Sequence, residues 1–135
     1  MSVLTGYPDV VDAAVLYAPV HADMWENFNR WRRKRPEGDN TLKKYGPKDE
    51  KPEFWEEISP VTYLEKIQAP ILLFQGGRDA DVPQEWSDGL NDRLKELGKD
   101  IEYIEYEKEG HEFSTQWKDF MKRTVEFFEK KLQVQ

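Results

Sequence analysis

The sequence predicts an α/β fold, with about three parallel strands flanked by helices. Three observations predict it. Apolar runs of strand length alternate with stretches of helical period, in the order strand, helix, strand, helix. The two most apolar runs are continuous rather than alternating, which is how strands covered on both faces read. Their spacing implies βαβ units, whose crossovers are almost always right-handed.

The first strand is Ala13-Ala14-Val15-Leu16-Tyr17-Ala18-Pro19-Val20, closed by its proline. Asp23 to Arg35 reads as a helix, and Arg35 to Asn40 as a loop rich in breakers. Tyr45 to Pro52 is a turn-rich connection, Phe54 to Ile58 a short helical turn, and Ser59-Pro60-Val61 a break. The second strand, Ala69 to Gln75, carries Ile71-Leu72-Leu73-Phe74 and closes on Gly76-Gly77. From Gln84 to Leu97, Trp86, Leu90, Leu94 and Leu97 recur at helical spacing, and Gly98 supplies the stop. Ile101 to Tyr106 is a third, more polar strand that suits a sheet edge. The last segment sets Trp117, Phe120, Met121, Thr124, Phe128 and Leu132 along one stripe, opposite Lys118, Lys122, Glu126 and Lys130. That stripe is expected to be core.

Composition narrows the function. At 135 residues the chain suits one domain, and it is short for a complete multi-layer enzyme. Its net charge of −7 and pI near 4.9 repel phosphate backbones, so no nucleic acid partner is expected. Aromatic content of 13% argues against disorder although 35% of residues are charged. No apolar run reaches the ~20 residues that cross a bilayer, and the N-terminus lacks a basic and then apolar leader, so the expectation is a cytoplasmic protein with no membrane contact. Zero cysteines exclude disulfides and thiolate chemistry. His21 and His111 are the only histidines, which excludes a His-rich metal site.

Ligand sites on parallel sheets lie beyond the carboxyl ends of the strands. The loops there are Gln75-Gly-Gly-Arg-Asp-Ala-Asp-Val-Pro83 after the second strand and Glu107-Lys-Glu-Gly-His-Glu-Phe113 after the third. Asp79 and His111 can therefore meet at one rim. A carboxylate beside an imidazole fixes its tautomer and stabilises the imidazolium that forms when the ring takes a proton. The bland alternatives are a loop histidine and an Asx-turn aspartate. Asp81 could compete for the ring, but before Val82-Pro83 it suits a helix cap better.

The succession of an apolar strand, Gly-x-x-Asp-x-x-Val-Pro, a helix, a strand and Gly-His-x-Phe resembles the C-terminal part of α/β-hydrolases. More narrowly, it is similar to the prolyl oligopeptidase-like serine hydrolases and their esterase relatives. Tyr17-Ala-Pro-Val20, Ile58-Ser-Pro60 and Ala69-Pro70 resemble the same group, so the likeness runs from about Tyr7 to Leu132. It implies a serine hydrolase acting on a peptide or ester bond, with catalytic residues Asp79 as acid and His111 as base, and with no metal or other cofactor. Triad order in this fold is Ser, then Asp, then His. Of Ser2, Ser59, Ser87 and Ser114, none lies in a Gly-x-Ser-x-Gly elbow. Residues 1–135 thus read as the C-terminal portion of such a domain, lacking the nucleophile-elbow half and inactive alone. Gln75 departs from the histidine the family often has there, a change of local hydrogen bonding.

The resemblance also places Trp25, Phe28 and Trp31 in an insert over the site, where they are expected to shape a substrate pocket. The basic run Arg30 to Arg35 reads as a solvated helix end rather than a nucleic-acid patch. A rival expectation is a non-catalytic association module. The strand at 13–20 would expose an unpaired edge, favouring a homo-oligomer or pairing with another chain.

Overall fold

β2 (Ile71–Gly76) is the middle strand of the sheet and is buried along its whole length. It pairs in parallel with β1 (Ala14–Tyr17) on one side and β3 (Ile101–Tyr106) on the other, aligning Tyr17 with Phe74 and Gly76 with Tyr106. The computed structural model describes residues 1–133, and this three-stranded parallel sheet matches the fold class the sequence predicts. β1 is shorter than its apolar run. Ala18 turns away with φ 37°, and Pro19 has no amide to continue the ladder. β1 is also only half-buried, against the expectation of a strand covered on both faces, because among the described residues it has one neighbour.

Six α-helices accompany the strands among the described residues: α1 (Ser2–Gly6), α2 (Met24–Trp31), α3 (Pro36–Tyr45), α4 (Pro52–Glu57), α5 (Gln84–Glu96) and α6 (Trp117–Leu132). Short 3₁₀ turns cover Pro8–Val10 and Pro60–Lys66. Asp23 caps α2 by accepting the Trp25 amide at 2.8 Å. The segment 36–40 is helix, not loop. Its breakers fall in the first turn of α3, where Pro36 has no helical partner to lose and Glu37 and Asp39 face the positive end of the dipole. α5 begins at Gln84 with Pro83 as its N-cap residue, so Asp81 does not cap it.

Alternation along β2 divides the core. Ile71 and Leu73 pack on one face with Leu64, Ile67, Leu90 and Leu94. Leu72 and Phe74 pack on the other with Phe113, Phe120 and Phe127. α6 covers this second face, but not with the whole stripe read from its sequence. Phe120 and Phe127 are buried, Thr124 and Phe128 are half-buried, and Trp117, Met121, Val125 and Leu132 are exposed. Bonds from Tyr106 to Asp119 and from Lys131 to Asp100 tie one flank of α6 to the β3 side. Its other flank is turned toward β1, where the sheet ends. Among the described residues no helix is long and apolar enough to cross a membrane.

Candidate active site

The loops that follow β2 and β3 press against each other. A Cβ on Gly76 would lie 2.4 Å from the Gly110 carbonyl oxygen, so only glycine lets them approach this closely. The Gly77 amide donates to the Tyr106 carbonyl at 3.0 Å, and the Arg78 amide to that of Glu109 at 2.9 Å. Across this seam His111 Nδ1 stands 2.8 Å from Asp79 Oδ2. The Asp79 side chain is 0% exposed, while that of His111 is 37% exposed. Asp79 divides its oxygens, because Oδ1 accepts the amides of Asp81 at 2.9 Å and Val82 at 2.8 Å. The turn role and the imidazole-partner role thus belong to one carboxylate.

Burial pushes the Asp79 carboxyl upward, but the Val82 amide, the His111 ring and the Asp81 amide outweigh it and hold the carboxyl below its ordinary range. An ionised carboxylate only accepts, so His111 Nδ1 carries the proton and Nε2 presents its lone pair. Among the described residues Nε2 makes no hydrogen bond. The pair can therefore take a proton at an exposed nitrogen and stabilise the resulting cation.

Several residues support the pair through contacts that the sequence does not spell out. Gln75 is fully buried, and its Nε2 donates to Val82 O at 3.2 Å and to Asp79 Oδ2 at 3.4 Å, while its Oε1 accepts from Ser87 Oγ at 2.7 Å. An amide ending an apolar strand was the available signal. The Tyr17 hydroxyl donates to the His111 carbonyl, and the rings of the two residues meet edge-on at 5.6 Å. Buried Glu109 accepts the Thr115 amide at 3.1 Å and its hydroxyl, bracing the turn around His111. Arg30 donates to the carbonyls of Ala80 and Asp81, at 3.1 and 2.8 Å, so one member of the basic run grips the acid loop.

The other candidates are placed as follows. Phe28 and Trp31 line an aromatic cleft between α2, α3 and α4, whose lining does not include His111. Trp25 lies outside that lining, stacked on Phe28 and crossing Trp55. His21 takes the Asp23 amide on Nδ1 and packs edge-on against Trp86. Ser59 and Ser87 are buried in structural hydrogen bonds, whereas Ser2 and Ser114 are exposed. Asp79, Asp81 and His111 each bring a ligand atom within 4.8 Å of the others, the donor set that could hold a metal ion. With Oδ1 engaged by two amides and Oδ2 by the ring, a cation there would have to displace the imidazole proton.

A parallel sheet flanked by helices, with a carboxylate and an imidazole meeting beyond its strand ends, fits the α/β-hydrolase fold. The chain belongs to the prolyl oligopeptidase family, whose model matches residues 1–135. Its fold is similar to Pyrococcus horikoshii acylaminoacyl peptidase, at TM-score 0.72 and 26% identity over 98% of this chain and 22% of that one. Puromycin hydrolase matches at TM-score 0.56 and 26% identity, covering 76% of this chain and 15% of its own. A Bacillus subtilis (strain 168) protein named uncharacterized peptidase YtmA is 37% identical over 62 residues, 46% of this chain and 24% of the relative. The chain thus spans a quarter or less of the length of these relatives.

Proposed function

We propose that these residues form the C-terminal portion of a serine hydrolase of peptide or ester bonds, with Asp79 and His111 as the acid and base of its triad. The observation that carries this reading is the 2.8 Å contact between Asp79 Oδ2 and His111 Nδ1, on a histidine whose side chain is partly exposed. The structures the chain resembles include an acylaminoacyl peptidase and a puromycin hydrolase, both named as hydrolytic enzymes. In the reaction, a serine Oγ attacks the substrate carbonyl while His111 Nε2 takes the hydroxyl proton. Asp79 stabilises the imidazolium. When the tetrahedral intermediate collapses, the same proton passes to the leaving nitrogen or oxygen, and water repeats the sequence on the acyl-enzyme.

No serine of this chain stands in a nucleophile elbow, so the 135 residues alone are inactive in this reading. Pure protein incubated with a fluorophosphonate probe and an activated ester is expected to stay unlabelled and to show background hydrolysis only. Stoichiometric labelling of Ser2 or Ser114 would overturn that. Translating the codons upstream of Met1 in frame tests the rest, and a Gly-x-Ser-x-Gly is expected there.

A second reading is an association module that pairs with another copy of itself. Two observations favour it. The Ala14 and Ala18 amides bond to the β2 side, so by strand alternation those of Val15 and Tyr17 point to the open edge. Beside that edge α6 leaves Trp117 50% exposed, together with Met121 and Val125. Light scattering at micromolar concentration is expected to give a dimer, and a strict monomer removes this reading.

A further inference from the structure

Arg30 lies near the C-terminal end of α2, and its side chain reaches across to the loop that carries Asp79. Its Nε and Nη2 donate to the Asp81 backbone carbonyl at 2.9 and 2.8 Å, and Nη2 also donates to that of Ala80 at 3.1 Å. The guanidinium carbon stands 5.0 Å from the Trp31 ring centre and 5.7 Å from that of Trp86, so two indoles steady the fork by cation–π attraction. Acidic residues outnumber basic ones by 27 to 20, yet Arg30 makes no ion pair among the described residues. Its charge is directed at backbone instead.

The other ends of those two peptide groups matter most. The Ala80 carbonyl shares a peptide unit with the Asp81 amide, and the Asp81 carbonyl shares the next with the Val82 amide. These are the two amides that donate to Asp79 Oδ1, at 2.9 and 2.8 Å. In a planar trans peptide the C=O and the N–H point in opposite directions. Two successive peptide dipoles therefore stand between a guanidinium at their carbonyl ends and a carboxylate at their amide ends. Each bond in such a chain polarises the next, which strengthens both N–H donors. A lysine ammonium lacks the planar fork and matches a pair of carbonyls less well.

We propose that Arg30 is a positioning residue for the Asp79–His111 pair. By holding the Ala80 and Asp81 carbonyls it aims the two amides that fix Asp79, and through Asp79 it sets the tautomer of His111. The inference deepens the hydrolase reading and rests on it.

The test uses the ¹⁵N-labelled chain in alkaline buffer, where a histidine ring is neutral and its two nitrogens report the tautomer. The unsubstituted protein is expected to show His111 protonated at Nδ1. A ring protonated at Nε2 instead removes the hydrolase reading and the proposal together. In Arg30→Gln the Asp81 and Val82 amide protons are expected to move upfield, and part of the His111 population to pass to the Nε2–H form. If the unsubstituted protein shows the Nδ1 proton and Arg30→Gln leaves these signals in place, the proposal fails while the hydrolase reading stands. Arg33→Gln is the control, because Arg33 donates to Asn29 Oδ1 on its own helix at 3.2 Å. Equal shifts in that variant overturn the proposal, by reducing the effect to the loss of one positive charge. Arg30→Lys keeps the charge without the fork and is expected to give signals between those of the unsubstituted protein and Arg30→Gln. Signals identical to the unsubstituted protein overturn the proposal, so it stays falsifiable even should Arg30→Gln fail to fold.

Discussion

Gln75 and Asp79 lie four residues apart on one strand-to-helix turn, and the buried Gln75 amide reaches the Asp79 carboxylate at 3.4 Å. The same amide holds Val82 O and Ser87 Oγ, so one side chain sets the shape of the loop that aims Asp79. Gln75→Leu keeps most of the volume and strands these partners without water. It is expected to cost about 3 kcal/mol in urea unfolding, because several buried polar groups lose their bonds together. Loss of less than a third of that would show that water replaces the amide.

Asp79 makes stability depend on acid pH. Its folded-state carboxyl lies below the ordinary value, held there against burial by the Val82 amide, His111 and the Asp81 amide. A depressed carboxyl contributes stability that is fully present above the unfolded value of about 4 and is lost as pH falls through the folded value. Asp79→Asn removes that contribution while sparing most of the turn. Urea midpoints measured from neutral pH downward are expected to fall less steeply below about pH 4 in the variant. Parallel curves would assign the acid sensitivity elsewhere, to Asp23 or Asp119, whose carboxyls are also depressed.

Tyr17 sits at the end of β1, yet its hydroxyl donates to the backbone of His111. Tyr17→Phe keeps the ring packing on Phe113 and Phe120 and removes that one bond. Stability is expected to fall by about 1 kcal/mol. Hydrogen exchange should accelerate at the Thr115 amide, which is bonded within the same turn, and stay unchanged in β3. Uniform acceleration would mean a global effect instead.

How much of this was legible depends on the range of the interaction. The two rim residues stood out because each follows a strand, and strand ends of a parallel sheet converge by topology alone. β2 and α5 declared themselves through four consecutive apolar residues and a leucine stripe. α3 did not. Pro36, Gly38, Asp39 and Asn40 read locally as breakers, yet they occupy the first turn of α3, where Gly38 packs against the Arg32 and Arg33 carbonyls at a distance that leaves no room for a side chain. The α6 stripe was misjudged for a related reason. Periodicity shows that a face is apolar, but only the extent of the sheet beneath decides that Phe120 and Phe127 are covered and Trp117 and Met121 are not. The partners of Gln75 and Tyr17 were not legible, because a single polar atom at a strand end has no period.

Phe113 combines two features that ordinarily exclude each other. Its side chain is fully buried among Tyr17, Phe74, Tyr106 and Phe120, and its backbone is left-handed at φ 46°. Removing the ring by Phe113→Ala is expected to cost about 3–5 kcal/mol through lost burial and the cavity left behind. Alanine in place of glycine normally gains stability in regular structure, by about 0.5–1 kcal/mol. Here the order is expected to reverse, since any Cβ at positive φ carries a penalty of about 1 kcal/mol that glycine avoids. Phe113→Gly should therefore be no less stable than Phe113→Ala by urea unfolding. If the alanine variant is clearly the more stable, the backbone at 113 relaxes once the ring is gone. The turn that carries His111 would then be held in shape by the buried ring rather than by its own hydrogen bonds.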